Sequence, residues 1–241
     1  MRPLHLSIPL LIALSAAGRA AAGPPFVTDD PGPTDKGHWE IYAFASGAKL
    51  ANATEGEGGL EFNYGAADDV QLTVNFPLGF DSDGGTHLGP GDMDVAAKYR
   101  FLRQSDGGAR PDLAIFPTLT LPTGDARFGE GRPTLFLPLW AQKDFGPWSV
   151  FGGGGYQMRP GPDVWRTGLA ITRALDERLV LGGEVYHHTE EEGGAGGFTG
   201  MNLGLTYKAS RHWSLLASGG PGLDNRSDGK FSLYVSLKAD Y

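Results

Sequence analysis

Phe231-Ser232-Leu233-Tyr234-Val235-Ser236-Leu237-Lys238-Ala239-Asp240-Tyr241 closes the chain. Successive side chains of a strand point to opposite faces. Phe231, Leu233, Val235, Leu237, Ala239 and Tyr241 therefore share an apolar face, and Ser232, Tyr234, Ser236, Lys238 and Asp240 a polar one. That is the pattern of a wall with lipid on one side and water on the other. The stretch also ends on an aromatic residue, the signal that outer-membrane assembly machinery reads. A soluble sandwich could hold one such strand, so the rest of the chain has to decide.

The same alternation recurs in about twelve runs, at 38–50, 56–65, 69–80, 91–102, 110–122, 131–144, 147–159, 164–174, 178–189, 198–208, 211–220 and 230–241. Each is near the roughly 9 to 11 residues that cross a bilayer at a tilt. The connections alternate in kind. Asp81 to Pro90, Thr123 to Glu130, Glu190 to Gly197 and Pro221 to Gly229 are long and polar, whereas Ala66-Ala67-Asp68, Phe145-Gly146, Leu175-Asp176-Glu177 and Ala209-Ser210 are tight. Pro160 to Asp163 and Arg103 to Ala109 fit this alternation less well. The pattern predicts an all-β fold, a transmembrane antiparallel up-and-down barrel of about twelve strands, with short periplasmic turns and longer outer loops.

The amino terminus agrees. Arg2, an apolar stretch from Leu4 to Ala17, and Ala20-Ala21-Ala22 read as a signal peptide over 1–22. The apolar part is shorter than the roughly 20 residues a spanning helix needs. Removing Arg2 and Arg19 takes the formal charge from −8 to −10, which argues against a nucleic-acid partner. The absence of cysteine excludes disulfides and thiol chemistry. The expected organisation is a signal peptide (1–22), a periplasmic amino-terminal segment (23–37) and the barrel (38–241), in the outer membrane of a Gram-negative bacterium.

Aromatic placement separates this barrel from a soluble one. On the apolar face Trp39, Tyr64, Tyr99, Phe101, Trp148, Tyr207, Trp213 and Tyr241 fall at one end of their runs, and Phe80, Tyr156, Trp165 and Phe231 at the other. Amphipathic rings collect in two such girdles at headgroup level. The opposite face carries Glu40, Glu61, Asp94, Lys98, Arg100, Arg166, Glu184, His188, Lys208, Lys238 and Asp240. Unpaired buried charge costs several kcal/mol per group, so these eleven are expected to line a wet lumen. Leaving His188 aside, they count five acidic and five basic groups, which predicts a narrow, weakly ion-selective passage.

Pro25-Phe26-Val27-Thr28-Asp29-Asp30-Pro31 and Gly37-His38-Trp39-Glu40 resemble the start of proteins in the putative MetA-pathway of phenol degradation family. Gly59-Leu60-Glu61-Phe62-Asn63-Tyr64-Gly65, Lys98-Tyr99-Arg100-Phe101, Leu121-Pro122-Thr123-Gly124-Asp125 and Gly146-Pro147-Trp148 leading into Gly152 to Tyr156 extend the resemblance over nearly all of the mature chain. It implies an outer-membrane barrel that carries small organic, including aromatic, compounds, with no catalytic residues to transfer.

Other motifs have plainer readings. His187-His188 before Glu190-Glu191-Glu192 offers metal-ligating groups, but neighbours on a strand face opposite ways and cannot readily share an ion. Pro122 to Asp125 reads as a turn at a strand exit rather than a ligand gate. The Gly152 to Gly155 run lacks the Lys-Ser/Thr of a phosphate loop and reads as a place where the strand bends or admits a bulky neighbour. Asp29 and Asp30 lie on either a loose periplasmic tether or a segment tucked into the lumen, where they would meet Lys98, Arg100, Lys208 or Lys238.

These readings predict a passive channel for small organic solutes, without enzymatic activity, cofactor or metal. Its expected partners are outer-membrane lipid and lipopolysaccharide, the assembly machinery acting on the last strand, and the solute. A closed structural or adhesive barrel and a lipid-acting outer-membrane enzyme are the alternatives.

Overall fold

The computed structural model describes residues 24–50, 53–159, 161, 163–189, 197–224 and 231–241. The expected signal peptide and the acidic run Glu190 to Glu192 lie outside these residues. The strands are β1 (Trp39–Lys49), β2 (Thr54–Ala67), β3 (Val70–Asp81), β4 (His87–Pro90), β5 (Met93–Leu102), β6 (Asp112–Ile115), β7 (Thr118–Leu121), β8 (Thr134–Phe145), β9 (Trp148–Met158), β10 (Val164–Ala174), β11 (Leu179–His188), β12 (Phe198–Lys208), β13 (Trp213–Pro221) and β14 (Phe231–Asp240).

They form one antiparallel sheet closed on itself. The last strand pairs with the first from Glu40 against Asp240 to Lys49 against Phe231. Trp39 and Tyr241 exchange backbone hydrogen bonds of 2.8 and 3.0 Å at the seam, so the terminal aromatic sits within the closure. Two of the twelve staves come in two pieces. β4 and β5 both pair with β3 and are kinked apart at Gly91-Asp92. β6 and β7 run between β5 and β8 and are interrupted at Phe116-Pro117, because proline has no N–H to give the ladder.

The burial pattern is that of an inverted protein. Leu72, Phe76, Leu139, Leu169, Leu203, Leu215 and Leu233 point outward and are exposed, while Asn63, Gln71, Thr73, Lys98, Glu184, Asn202 and Ser218 point inward and are buried. Outward rings cluster near the end where β1 begins and β14 stops, Trp39 against Tyr64 at 4.7 Å and Tyr99 against Phe101 at 6.5 Å. At the far end Tyr156 meets Trp165 at 5.1 Å.

The connections show how the turns are made. Asp69 adopts a positive φ of 64° in the β2–β3 turn and Gly146 a φ of 60° between β8 and β9. The long Arg103 to Pro111 connection is stapled down: Gln104 donates to Asp112 at 2.8 Å and to Asp144 at 2.7 Å, and Lys143 donates to the Ser105 carbonyl at 2.8 Å. The Gly152 to Gly155 stretch accommodates a bulky neighbour, since Gly153 faces Trp140 across the ladder and a Cβ there would lie 3.1 Å from the indole.

Candidate functional site: the lumen and its inserted segment

Residues 24–36 run inside the barrel. The sequence leaves a tether or a tuck open for this segment, set apart there as periplasmic; in the structure it is tucked in, and the wall is built to receive it. At its leading end the Glu184 carboxylate accepts the backbone N–H groups of Val27 at 2.9 Å and Thr28 at 2.8 Å, and the Asn202 amide at 2.7 Å. Ser218 donates to the Pro25 carbonyl at 2.5 Å. In the middle, Lys98 donates to the Asp29 carboxylate at 3.1 Å and to the carbonyls of Asp30 at 2.9 Å and Gly32 at 3.4 Å, with its ammonium 4.7 Å from the Phe116 ring. Further along, Gln71 accepts from the Thr34 backbone and hydroxyl at 2.7 and 3.0 Å. Its own amide is held by Asn63 and Thr73 at 2.8 and 3.0 Å.

The seat also has shape. A Cβ at Gly168 on β10 would overlap the Thr28 hydroxyl, and one at Gly204 on β12 would come within 2.8 Å of the Phe26 ring. Thr28, Asp30, Pro31 and Thr34 are buried as a result. The Asp30 carboxyl accepts the Gly32 N–H at 2.5 Å. Burial raises its pKa to about 7 against the opposing pull of Lys98.

The eleven residues expected to line the lumen fall into separate groups. Lys98 and Glu184 bind the inserted segment. Lys238 bridges Glu40 at 3.1 Å and Asp240 at 2.8 Å. Glu61 accepts from Asn63 at 2.7 Å, and Asp94 from Thr120 at 2.6 Å and Asn75 at 3.2 Å. Arg100 lies toward the termini end, 2.8 Å from Asp69 and 3.8 Å from Asp112. Burial works against the Asp69 charge, but hydrogen bonds from Arg103 and Arg100 hold its carboxyl below the usual range. Arg166 and His188 line a side cavity of about 290 Å³ with Val27, Thr28 and Trp140. Lys208 is exposed at the end of β12. Of the four cations considered for Asp29 and Asp30, the ion pair goes to Lys98.

Two features escape the sequence reading. Among the uncharged inward residues Gln71 binds the segment, and Asn63, Thr73 and Asn202 brace the wall groups that hold it, although parity alone shows only that these side chains face inward. Glu55 also faces the lumen, because β2 begins at Thr54, before the expected run at 56–65, and so does Glu57, which lies within that run at the inward parity of Glu61. The even count of charges expected for the lumen therefore does not hold for its far half.

Pro122 to Asp125 bends the chain away from β7, the hydrogen-bonded turn follows at Ala126 to Phe128, and this connection folds over the far mouth. Gly124 and Glu130 donate backbone N–H groups to Asp92 at 2.8 and 2.7 Å, and Arg127 clasps Asp81 with bonds of 2.5 and 2.6 Å. His187 and His188 face opposite ways as strand geometry requires: His187 meets Thr199 at 3.0 Å, and His188 packs 5.4 Å from the Phe198 ring. Among the described residues no group of three or more His, Asp or Glu is placed to hold a metal ion.

The fold has solved counterparts. An outer-membrane channel of the COG4313 group from Pseudomonas putida F1 superposes with a TM-score of 0.75 at 18% identity, over 88% of this chain and 98% of that one. The NanC porin superposes at 0.61 with 8% identity, over 83% and 98%. The translocator domain of the autotransporter NalP from Neisseria meningitidis does so at 0.52 with 11% identity, over 86% and 89%. No curated protein sequence matches the chain. The sequence model described as "Putative MetA-pathway of phenol degradation" matches residues 28–234, from the buried Thr28 of the inserted segment to Tyr234 of the last strand, and the chain belongs to that family.

Proposed function

We propose that the protein is an outer-membrane channel for small organic solutes, with residues 24–36 as a plug that must yield for passage. The observation that carries this reading is how the lumen is divided. A cavity of about 430 Å³ on the far side and one of about 230 Å³ toward the termini share Pro24, Phe26, Val27 and Glu61 as common lining. What separates them is a segment held by hydrogen bonds, one ion pair and van der Waals contact. A closed structural barrel would fill this space with side chains from the wall, as small barrels do. Here a separate stretch of chain, not part of any stave, fills it, and the solvent-accessible space on either side is lined by both aromatic and polar groups. The outward apolar band would meet lipid, with the girdles at the headgroups. Lipopolysaccharide and the assembly machinery, which would read the Tyr241 strand, complete its surroundings in a Gram-negative outer membrane.

Planar-bilayer recording of the refolded protein tests this. The wild type is expected to conduct in brief openings, and a variant lacking residues 24–32 to stay open. If the truncated barrel folds and passes no current, the closed-barrel alternative replaces the channel.

A further inference from the structure

The far half of the lumen has a charge that its near half lacks. The cavity of about 430 Å³ is lined by Glu55, Glu57 and Glu61 together with Phe26, Phe44 and Tyr234, and among the described residues by no Lys, Arg or His. An adjoining cavity of about 470 Å³ shares Glu55, Gly56 and Glu57 and adds Asp81, Asp92, Asp94 and Glu130. Two of these already have a cation, Asp81 in Arg127 and Glu130 in Arg159, and Asp92 accepts the backbone N–H groups of Gly124 and Glu130. Toward the termini, by contrast, Lys98, Arg100 and Lys238 each have carboxylate partners.

The hydrogen-bonding balance leans the same way. Asn202 and Ser218 use their donor groups on Glu184 and on the Pro25 carbonyl. Asn75 gives its amide to Asp94, and its own oxygen is buried with no donor. Glu57 is exposed to the lumen, and its carboxylate has no hydrogen-bond donor among the described residues. The walls thus present acceptors and want donors. Beside Glu57, the Phe44 and Tyr234 rings stack at 6.3 Å and 14°, and Gly59 opposite Phe44 leaves room for its ring. An aromatic pair next to the Glu57 carboxylate suits a cation carried on an organic body, since ring faces attract cations and rings of one charge sign confer selectivity.

We propose that this vestibule is a filter favouring small organic cations, an ammonium group on an aromatic or aliphatic frame, and that Glu57 is the residue that sets the preference. The proposal rests on the channel reading. It also replaces the weak selectivity expected from an even charge count with a definite sign.

The refolded protein is placed in a planar bilayer across a concentration gradient of benzylammonium benzoate, whose two ions carry the same ring and opposite charge. The sign of the reversal potential then reports which one crosses. Benzylammonium is expected to be the more permeant. Removing one charge at about 5 Å in a watery lumen changes the access of each ion about fourfold in opposite senses, lowering the permeability ratio roughly 16-fold, so Glu57→Gln should show that drop, and Glu57→Lys should carry the preference toward benzoate. Heat-modifiable mobility on gels confirms that each variant is folded. A wild-type ratio favouring benzoate, or a ratio unmoved in both variants, overturns the filter and leaves the channel standing. The absence of any current, in the wild type and in the plug deletion alike, overturns the channel and the filter together.

Discussion

Lys98→Met should unseat the middle of the inserted segment while leaving the barrel closed. The Lys98 ammonium is nearly sealed from water and serves three acceptors on the segment, the Asp29 carboxylate at 3.1 Å and the carbonyls of Asp30 and Gly32 at 2.9 and 3.4 Å. Methionine keeps much of the stem that packs near Phe116 and removes the charge. Breaking a buried pair by deleting one partner costs about 3 to 5 kcal/mol. The Asp29 side chain is 22% exposed and can recover some hydration, which places the loss near the lower bound, about 3 kcal/mol. That is roughly 150-fold in the ratio of seated to released segment. The wall loses nothing comparable, because its ladders do not pass through this side chain. Single-channel recording is the assay: open probability should rise steeply while folded yield and heat-modifiable mobility stay at wild-type levels. A folded Lys98→Met protein that opens no more often than the wild type would refute the role given to this ammonium.

Gly168→Val should act like Lys98→Met by a different route, since a side chain there takes the space of the Thr28 hydroxyl; protease sensitivity of the amino-terminal segment in detergent reads it directly. The seating of the segment should weaken as pH rises. The Asp30 pKa is about 7 when buried, above its ordinary 3.8, so the stabilising proton is present below about pH 4 and lost as pH passes through 7. Open probability should therefore climb between pH 5 and 8, and Asp30→Asn should flatten the profile; a wild-type profile with no slope in that window would contradict it. Deleting Tyr241 removes both backbone bonds to Trp39 and the stack on His212 at 5.8 Å, and should lower the amount of folded protein recovered from the outer membrane. An epitope inserted between Glu191 and Gly196 should be reached by antibody on intact cells and one at Ala209-Ser210 only after permeabilisation, with the opposite labelling reversing the orientation.

The wall could be read from the chain because its cause is local. Whether Leu233 faces outward and Ser232 the lumen follows from the two-residue period of a strand, and the same rule assigns the charged side chains to the polar face. The tight turns and the terminal aromatic are likewise properties of short stretches, whereas the break at Phe116-Pro117 falls inside the run read as continuous over 110–122. What the lumen contains is a different matter, because it depends on closure. Glu184 and Lys98 lie on strands far apart in the chain, and only the barrel's register brings them to the leading end and the middle of one inserted segment. Pro24 to Lys36 has no period of its own, so its sequence leaves a tether and a plug equally open. The choice is made by wall groups distant in sequence: a glycine at 168 that leaves space for Thr28, a carboxylate that accepts two backbone N–H groups, and an ammonium ringed by three oxygens. The charge of the vestibule depends on the same geometry, since where a strand begins and which carboxylates its neighbours neutralise are settled by pairing across the sheet.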